Sequence, residues 1–443
     1  MATTPMKPLQ VGLLGIGTVG LGTWTVLRRN AEEIARRAGR PIRITWIAEK
    51  SIERARELTQ GATDVQLTDD AKLVLANPDI DIVVELIGGI EPARTFILQA
   101  IANGKHVVTA NKALLARHGN EIFAAAHANG VMVAFEGAVA GGIPIIKALR
   151  EGLTANRIEW IAGIINGTSN FILSEMRARG ASFASVLKEA QQRGYAEADP
   201  TFDVEGVDAA HKLTIMSAIA FGVPMQFDKV YTEGISKLTQ EDIRYAEELG
   251  YRIKLLGITR RAAAGIELRV HPTLIPTKRL IANVEGVMNA VLVKGDAVGA
   301  TMYYGAGAGA EPTASAVIAD LVDVTRMHTA DPEHRVPHLA FQPDQLSDIP
   351  FLPMGEVETS YYLRMRVQDR PGVLADITRI LADREISIDA MIQKEPSEGE
   401  DQTDIILLTH RTVEKHVVDA IAKIEALPTV KGKVVRIRLE ELN

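Results

Sequence analysis

The chain has 443 residues, 47% of them hydrophobic and 24% charged, which suits several folded domains and excludes global disorder. Its net charge of −7 argues against nucleic acid or an anionic membrane as partner. With no cysteine, disulfides, thiolate metal sites and thiol catalysis are impossible, so redox chemistry here must be direct alcohol–carbonyl hydride transfer or use another nucleophile. No apolar run approaches the roughly 20 residues that cross a bilayer, and MATTPMKPLQ lacks a secretory pattern, so a cytoplasmic protein is expected.

The first 135 residues alternate strand and helix patterns: LQVGLLGIG, a helix from Val19 to about Ala38, then strands RITWIA, IDIVVELIG, KHVVTA and VMVAFEG with helices between the later ones. Such alternation predicts an α/β domain with a Rossmann-type parallel sheet. Gly15-Ile16-Gly17-Thr18-Val19-Gly20 follows the first strand and opens a helix. Gly15 allows a tight turn, Gly17 lets a pyrophosphate approach the backbone, and Gly20 lets helix and strand pack closely. The helix start at Thr18 and Val19 faces the phosphates. The second strand ends at Ala48-Glu49-Lys50, where ribose is read. Glu49 favours a free 2′-hydroxyl and Lys50 and Arg54 favour a 2′-phosphate, so NAD and NADP both stay open.

Residues 136–309 change texture, with glycine-rich stretches between long helices and returning strands, predicting an α+β substrate-binding and dimerisation domain. A helix within about 310–330 packs back on the first domain. Asp208 and Lys212 stand four apart on a helix that is otherwise apolar nearly all round. As an exposed pair they would be worth about 0.3–0.5 kcal/mol; on a buried helix, charges are paired or functional. Lys112 follows the fourth strand, where ligands bind in open α/β sheets, although a surface lysine at a helix start fits that position equally well. Residues 331–357, rich in proline, form a linker. His328, His334 and His338 in and beside it lack the buried context of a metal site. From 358 to 443 the order βαββαβ predicts a ferredoxin-like module with a core of its own, removable after about Gly355.

GIGTVG, TANKALL, EGAVAGGIP, NGTSNFIL, GYAEADPTFDVEGVDAAHK and YYGAGAG, in this order, resemble homoserine dehydrogenase over about residues 8–330. The tail, with QDRPGVLADIT, is similar to an ACT domain. The resemblance implies reversible hydride transfer between L-homoserine and L-aspartate 4-semialdehyde, in threonine, methionine and isoleucine biosynthesis, with NADP or NAD. It makes Lys212 the proton donor, with Lys112 beside nicotinamide and substrate, and Glu197 and Asp208 the substrate-binding acids. It places Gly15, Gly17, Thr18, Val19, Gly20, Ala48, Lys50, Lys112 and Gly309 at the cofactor. Glu136, Val139, Gly141 and Ile143 would hold Na+ or K+ through backbone carbonyls. The ACT module implies an amino-acid effector, threonine first, and a homodimer or homotetramer. Two other readings remain: a nucleotide sensor without turnover, which has no use for a buried proton donor, and a 2-hydroxy acid dehydrogenase, whose His–carboxylate pair is missing at the strand ends.

Overall fold

The computed structural model describes residues 6–396 and 401–443. From the N-terminal end run β1 (Leu9–Leu14), α1 (Thr18–Arg29), α2 (Ala31–Ala38), β2 (Ile42–Ala48), α3 (Ile52–Leu58), β3 (Gln66–Thr68), α4 (Ala71–Ala76), β4 (Ile82–Glu85), α5 (Ala93–Ala102), β5 (His106–Thr109), α6 (Lys112–Ala128) and β6 (Val133–Ala134). Then follow α7 (Ile145–Lys147), β7 (Ile158–Ile164), α8 (Gly167–Arg179), α9 (Phe183–Gln192), α10 (Thr201–Val204), α11 (Val207–Phe221), β8 (Tyr231–Thr232), α12 (Gln240–Glu248), β9 (Tyr251–Ala262) and β10 (Gly265–Pro276). The remainder is β11 (Met288–Gly295), β12 (Gly299–Ala306), α13 (Ala310–Met327), β13 (Glu358–Gln368), α14 (Val373–Ala382), β14 (Ile388–Gln393), β15 (Gln402–Thr409), β16 (Thr412–Val413), α15 (Glu414–Glu425) and β17 (Val430–Leu439). The described residues fall into two compact units: one reaches to Ile161 and takes in Ala210–Asp228 and Met288–Ile349, and the other comprises Ala162–Ala209, Lys229–Val287 and Pro350–Asn443.

The first unit holds a parallel sheet of order β3-β2-β1-β4-β5-β6, in which the chain turns back on itself between β1 and β4. Its strands are apolar runs because helices cover both faces; Val11, Leu13, Ile82, Val84 and Val108 are buried in one cluster with Ala314, Val317 and Leu321 of α13. The helix expected from Val19 to Ala38 is two, since Asn30 leaves helical geometry (φ −109°, ψ 20°), ending α1 and preceding α2. Six strands stand where five were expected: β3 is only three residues long, too short for an apolar rhythm to register.

The second unit holds a mixed sheet, ordered β9-β10-β17-β13-β15-β14. The tail adopts the expected βαββαβ order, with the two-residue β16 added, and Leu363, Met365 and Val367 of β13 pack with Ile377, Leu381, Val417 and Ile424 of its helices. One feature differs from a module on a tether. Strand β17 pairs with β10 in parallel, Thr273 opposite Arg438 and Leu274 opposite Leu439. The physical reason lies in two buried arginines. Arg269 on β10 donates to Glu267 Oε2 (2.8 Å) and Glu440 Oε1 (2.5 Å). Arg438 on β17 donates to Glu414 (2.6 and 2.9 Å) and to Glu233 (2.9 Å). Against the opposing effect of burial, Arg269 and Arg260 hold the Glu440 carboxyl down to about 2.

Candidate active site

The glycine loop has the geometry its residues imply. Gly15 takes φ +89°, and a Cβ at Gly20 would lie 2.2 Å from the Gly15 carbonyl oxygen, so only glycine lets α1 begin this close to β1. A Cβ at Gly17 would meet nothing within 4 Å: there the backbone borders open space. No side chain caps the start of α1 at Thr18 and Val19, which leaves its first amides available to an anion. A cavity of about 530 Å3 opens at this loop, bordered by Gly15, Gly17, Ala48, Glu49, Lys50 and Arg54. These features fit a dinucleotide.

Two acids organise the surrounding loops. Glu49 Oε2 accepts the Ile16 amide (3.0 Å), so this carboxylate shapes the glycine loop as well as bordering the cavity. Glu85, fully buried at the end of β4, accepts the Ile87 and Gly88 amides (2.9 and 3.0 Å) and the Thr109 hydroxyl (2.7 Å). Asn111 donates to Gly89 O (2.6 Å) and caps α6 by accepting the Leu114 amide, which fixes the helix start bearing half-buried Lys112. Gly309, at φ +131°, precedes α13; a Cβ on Gly22 of α1 would lie 2.3 Å from Ala310 O, so α1 and the Gly309 turn are in backbone contact.

On the substrate side, Asn166 is the organiser. As N-cap of α8 it accepts the Ser169 amide (2.8 Å), while its Nδ2 donates to Asp203 Oδ1 (2.8 Å) and Asp208 Oδ2 (2.9 Å). One carboxamide thus holds two carboxylates, with its oxygen and nitrogen fixed by the amide on the other side. Asp208 is 4% exposed in the first turn of α11, and Lys212, 7% exposed, follows one turn later. Glu197 lies in the exposed loop after α9, with its carbonyl accepting from Gln191 Nε2 (3.1 Å). The structure therefore brings Asp208 together with Asp203 through Asn166, and gives Glu197 no such anchor.

The proposed cation carbonyls stand on a turn in which Ala140 (φ +55°) and Gly141 (φ +49°) are both left-handed. Glu136 spends both carboxylate oxygens on the Ile146 and Lys147 amides (2.9 and 2.8 Å), so carbonyl oxygen is what it can offer a cation. Burial pushes this carboxyl up. Neutral carbonyls from Glu136, Val139, Gly141 and Ile143 suit a hard monovalent ion, and no group of three or more His, Cys, Asp or Glu among the described residues could hold a metal. Of the three histidines considered for a metal, His338 accepts the Val133 amide (3.1 Å) and stacks on Phe123, and His328 lies edge-on to His106.

Two residues of this site escaped the sequence reading as functional, Glu85 and Asp203. Glu85 had a signal, a lone charge at the end of a buried apolar strand. Asn166, read from the sequence as part of a polar substrate loop with Gly167 and Thr168, is in the structure the residue that ties Asp203 to Asp208.

A Rossmann-type sheet with an open glycine loop, joined in one chain to a buried lysine and clustered acids, defines a nucleotide-dependent oxidoreductase. The family pattern described as homoserine dehydrogenase matches residues 144–322, its NAD-binding domain matches 15–136, and an ACT domain matches 361–428. A homoserine dehydrogenase of Pseudomonas aeruginosa is 65% identical over 438 residues, 99% of this chain and 100% of that protein. The crystal structure of a homoserine dehydrogenase from Thiobacillus denitrificans, 74% identical, superposes with a TM-score of 0.95 over 99% of this chain and 100% of that one. A hyperthermophilic archaeal homoserine dehydrogenase in complex with NADPH is 25% identical, with a TM-score of 0.62, over 72% of this chain and 98% of its own. The chain belongs to the homoserine dehydrogenase family and is an oxidoreductase with a nucleotide-binding domain and an ACT domain.

Proposed function

We propose that the protein interconverts L-homoserine and L-aspartate 4-semialdehyde, with Lys212 as the proton donor and acceptor at the reacting oxygen. The observation that carries this is α11: a helix apolar nearly all round that still buries Asp208 and, one turn on, Lys212. Charges are kept in such a place for chemistry or for pairing. The nicotinamide, when bound, supplies or takes the hydride. Reduction builds negative charge on the carbonyl oxygen; the Lys212 ammonium stabilises that charge and gives up a proton to it. In oxidation the amine form takes the hydroxyl proton. Lys112, at the start of α6, stands beside the nicotinamide and substrate in this reading. Asp208, held by Asn166, and Glu197 bind the substrate ammonium.

Gly15, Gly17, Thr18, Val19, Gly20, Ala48 and Gly309 would hold the nucleotide. Glu49 and Lys50 pull in opposite directions on a 2′-phosphate, so both NADP and NAD are used. Na+ or K+ binds the Glu136, Val139, Gly141 and Ile143 carbonyls and steadies that turn. In domain terms we assign nucleotide binding to 1–135 with about 310–330, substrate binding and dimerisation to 136–309, a connector to 331–357, and regulation to 358–443. The ACT module is read as binding an amino acid, threonine first, in a homodimer or homotetramer of the cytoplasm. No helix among the described residues is long and apolar enough to cross a membrane.

The test is absorbance at the reduced-nicotinamide band with homoserine, NADP and NAD side by side, and threonine added last. Homoserine-dependent reduction with both cofactors and a lower rate with threonine are expected. Absence of turnover with either cofactor would leave a nucleotide sensor as the better reading.

A further inference from the structure

The second unit contains a cleft of about 450 Å3 between the segment after β8 and the α15–β17 face of the regulatory module. Its floor is apolar: Leu238, Val418, Ile421, Val434 and Ile437. Its rim is charged with both signs, Lys237, Arg436 and Lys433 on one hand, the last paired with Glu425 (2.6 Å), and Glu233 on the other. Arg436 lies 2.7 Å from Glu414 and 3.5 Å from Glu233, and Glu233 also accepts from Arg438 (2.9 Å) and the Tyr231 hydroxyl (2.7 Å). Among these, Lys237 is exposed on the rim.

The residue that lines this cleft also leads to the substrate acids. The Glu233 amide donates to Val270 O (2.8 Å), continuing the β8–β10 pairing. Gly234 follows, where a Cβ would lie 2.3 Å from Glu205 Oε2 and 2.5 Å from Val204 O. The Ile235 amide then donates to Val204 O (2.9 Å). Val204 ends α10, between Asp203, held by Asn166, and Asp208. From Arg438 to Asp208 the path is therefore a run of short hydrogen bonds and a backbone contact without room for a side chain.

We infer that this cleft binds a free α-amino acid with a small or apolar side chain, and that its occupant acts on homoserine binding through Glu233 and the Val204–Asp208 segment. The inference rests on the amino-acid effector reading above and gives it a place. A zwitterion matches the rim, its carboxylate toward Lys237 and Arg436 and its ammonium toward Glu233, while the side chain covers the apolar floor. An ammonium at Glu233 competes with Arg438 and Arg436 for the same carboxylate. Glu233 can respond only by shifting, and Gly234 passes the shift to Val204. Glu233 is thus a positioning residue for the substrate acids.

The test uses the full chain, titrated calorimetrically with threonine, isoleucine, methionine and lysine in turn, and followed as inhibition of homoserine oxidation. At least one of threonine, isoleucine and methionine should bind and inhibit, and binding by lysine alone would overturn the side-chain class. Val418→Trp, which fills the cleft from a position 49% exposed, and Lys237→Glu should each weaken binding and inhibition at least tenfold. Both should leave KM and kcat without effector unchanged. Glu233→Gln should raise the homoserine KM severalfold more than it lowers kcat. Undiminished binding in both cleft variants overturns the placement and spares the effector reading. Failure of the unaltered chain to bind any of the four overturns the effector reading and this one with it. A changed oligomer size in Val418→Trp, seen by sedimentation, would give the cleft to a second copy of the chain. An unaltered KM in Glu233→Gln would cut the path to the acids.

Discussion

Lys212 and Asn166 make different demands on the same few atoms. If Lys212 holds and moves the proton, Lys212→Ala should lower kcat by about 10²–10⁴-fold, the usual range for a general acid–base group, with an unaltered circular dichroism spectrum. Near-normal turnover would remove Lys212 from the chemistry. Asn166 touches no reacting atom in this scheme but keeps two carboxylates, Asp203 and Asp208, in one place. Asn166→Ala takes the shared donor from both, and also removes the α8 cap. A loss of about 1–3 kcal/mol in stability follows from stranding a buried acceptor, and the homoserine KM should rise more than kcat falls. Equal KM in mutant and parent would show that Asp208 needs no such anchor. The lysine was legible in the sequence because it interrupts an apolar helix. The asparagine was legible only as part of a polar loop; its two partners come from 37 and 42 residues away and only folding brings them to one amide.

Among the elements, β5 and β6 carry a pH dependence that no spacing in the sequence reveals. His106 Nδ1 accepts the Met132 amide (2.9 Å) and His338 Nε2 accepts the Val133 amide (3.1 Å). A ring nitrogen that accepts from an N–H must carry no proton, so both rings fold neutral. Burial, with Arg335 near His106 and Arg150 near His338, pushes each down to about 4 from an ordinary 6.5. Between those values the unfolded chain binds protons that the folded chain does not. Stability should be fully present above about pH 6.5 and decline as pH falls toward 4. Urea midpoints measured from pH 8 to pH 4 would check this, and His338→Gln, which keeps an acceptor without titrating, should flatten part of the decline. A midpoint flat over that range would contradict it. The strand and helix rhythm itself was readable wherever an element buries one face, as in β13 and α14. It failed at β3 and β12, one too short and the other partly exposed along its whole length, and at Asn30, where a single residue's dihedral angles split a continuous helical pattern.

At the scale of the whole molecule, the tail is the part whose character changed most. A linker rich in proline, a complete βαββαβ order and a core of its own suggest a module that can be cut away after Gly355. Strand β17, however, supplies the neighbour of β10, and Glu440 supplies the partner of an arginine 1% exposed. Truncation after Gly355 should therefore lower the thermal midpoint by several degrees and reduce the yield of soluble chain, rather than release an intact, unregulated enzyme. Glu440→Ala, which leaves Arg269 buried with one acid fewer, should cost about 3–5 kcal/mol in denaturant unfolding. A truncated chain that melts like the full one would show that β10 does not need β17. Hydrophobic patterning located both sheets but not this junction, since only two residue pairs make it and they lie far apart in the chain.

That same junction governs the order in which a new chain can finish folding. Arg269 must wait 171 residues for Glu440, which at typical synthesis rates of about 5–20 residues per second is roughly 9–34 seconds. Through that interval the edge of β10 is paired with β8 only at Arg269 and Val270, and Thr273 and Leu274 stay open, the kind of surface on which nascent chains stick together. Beside that opening, Glu267, Arg269 and His271 stand on alternate positions and so on one face of the sheet. Charges beside an open edge disfavour pairing with a strand that brings no matching charge. The arginine that waits for the last strand of this sheet is thus, until that strand arrives, also a charge that guards an unfinished edge.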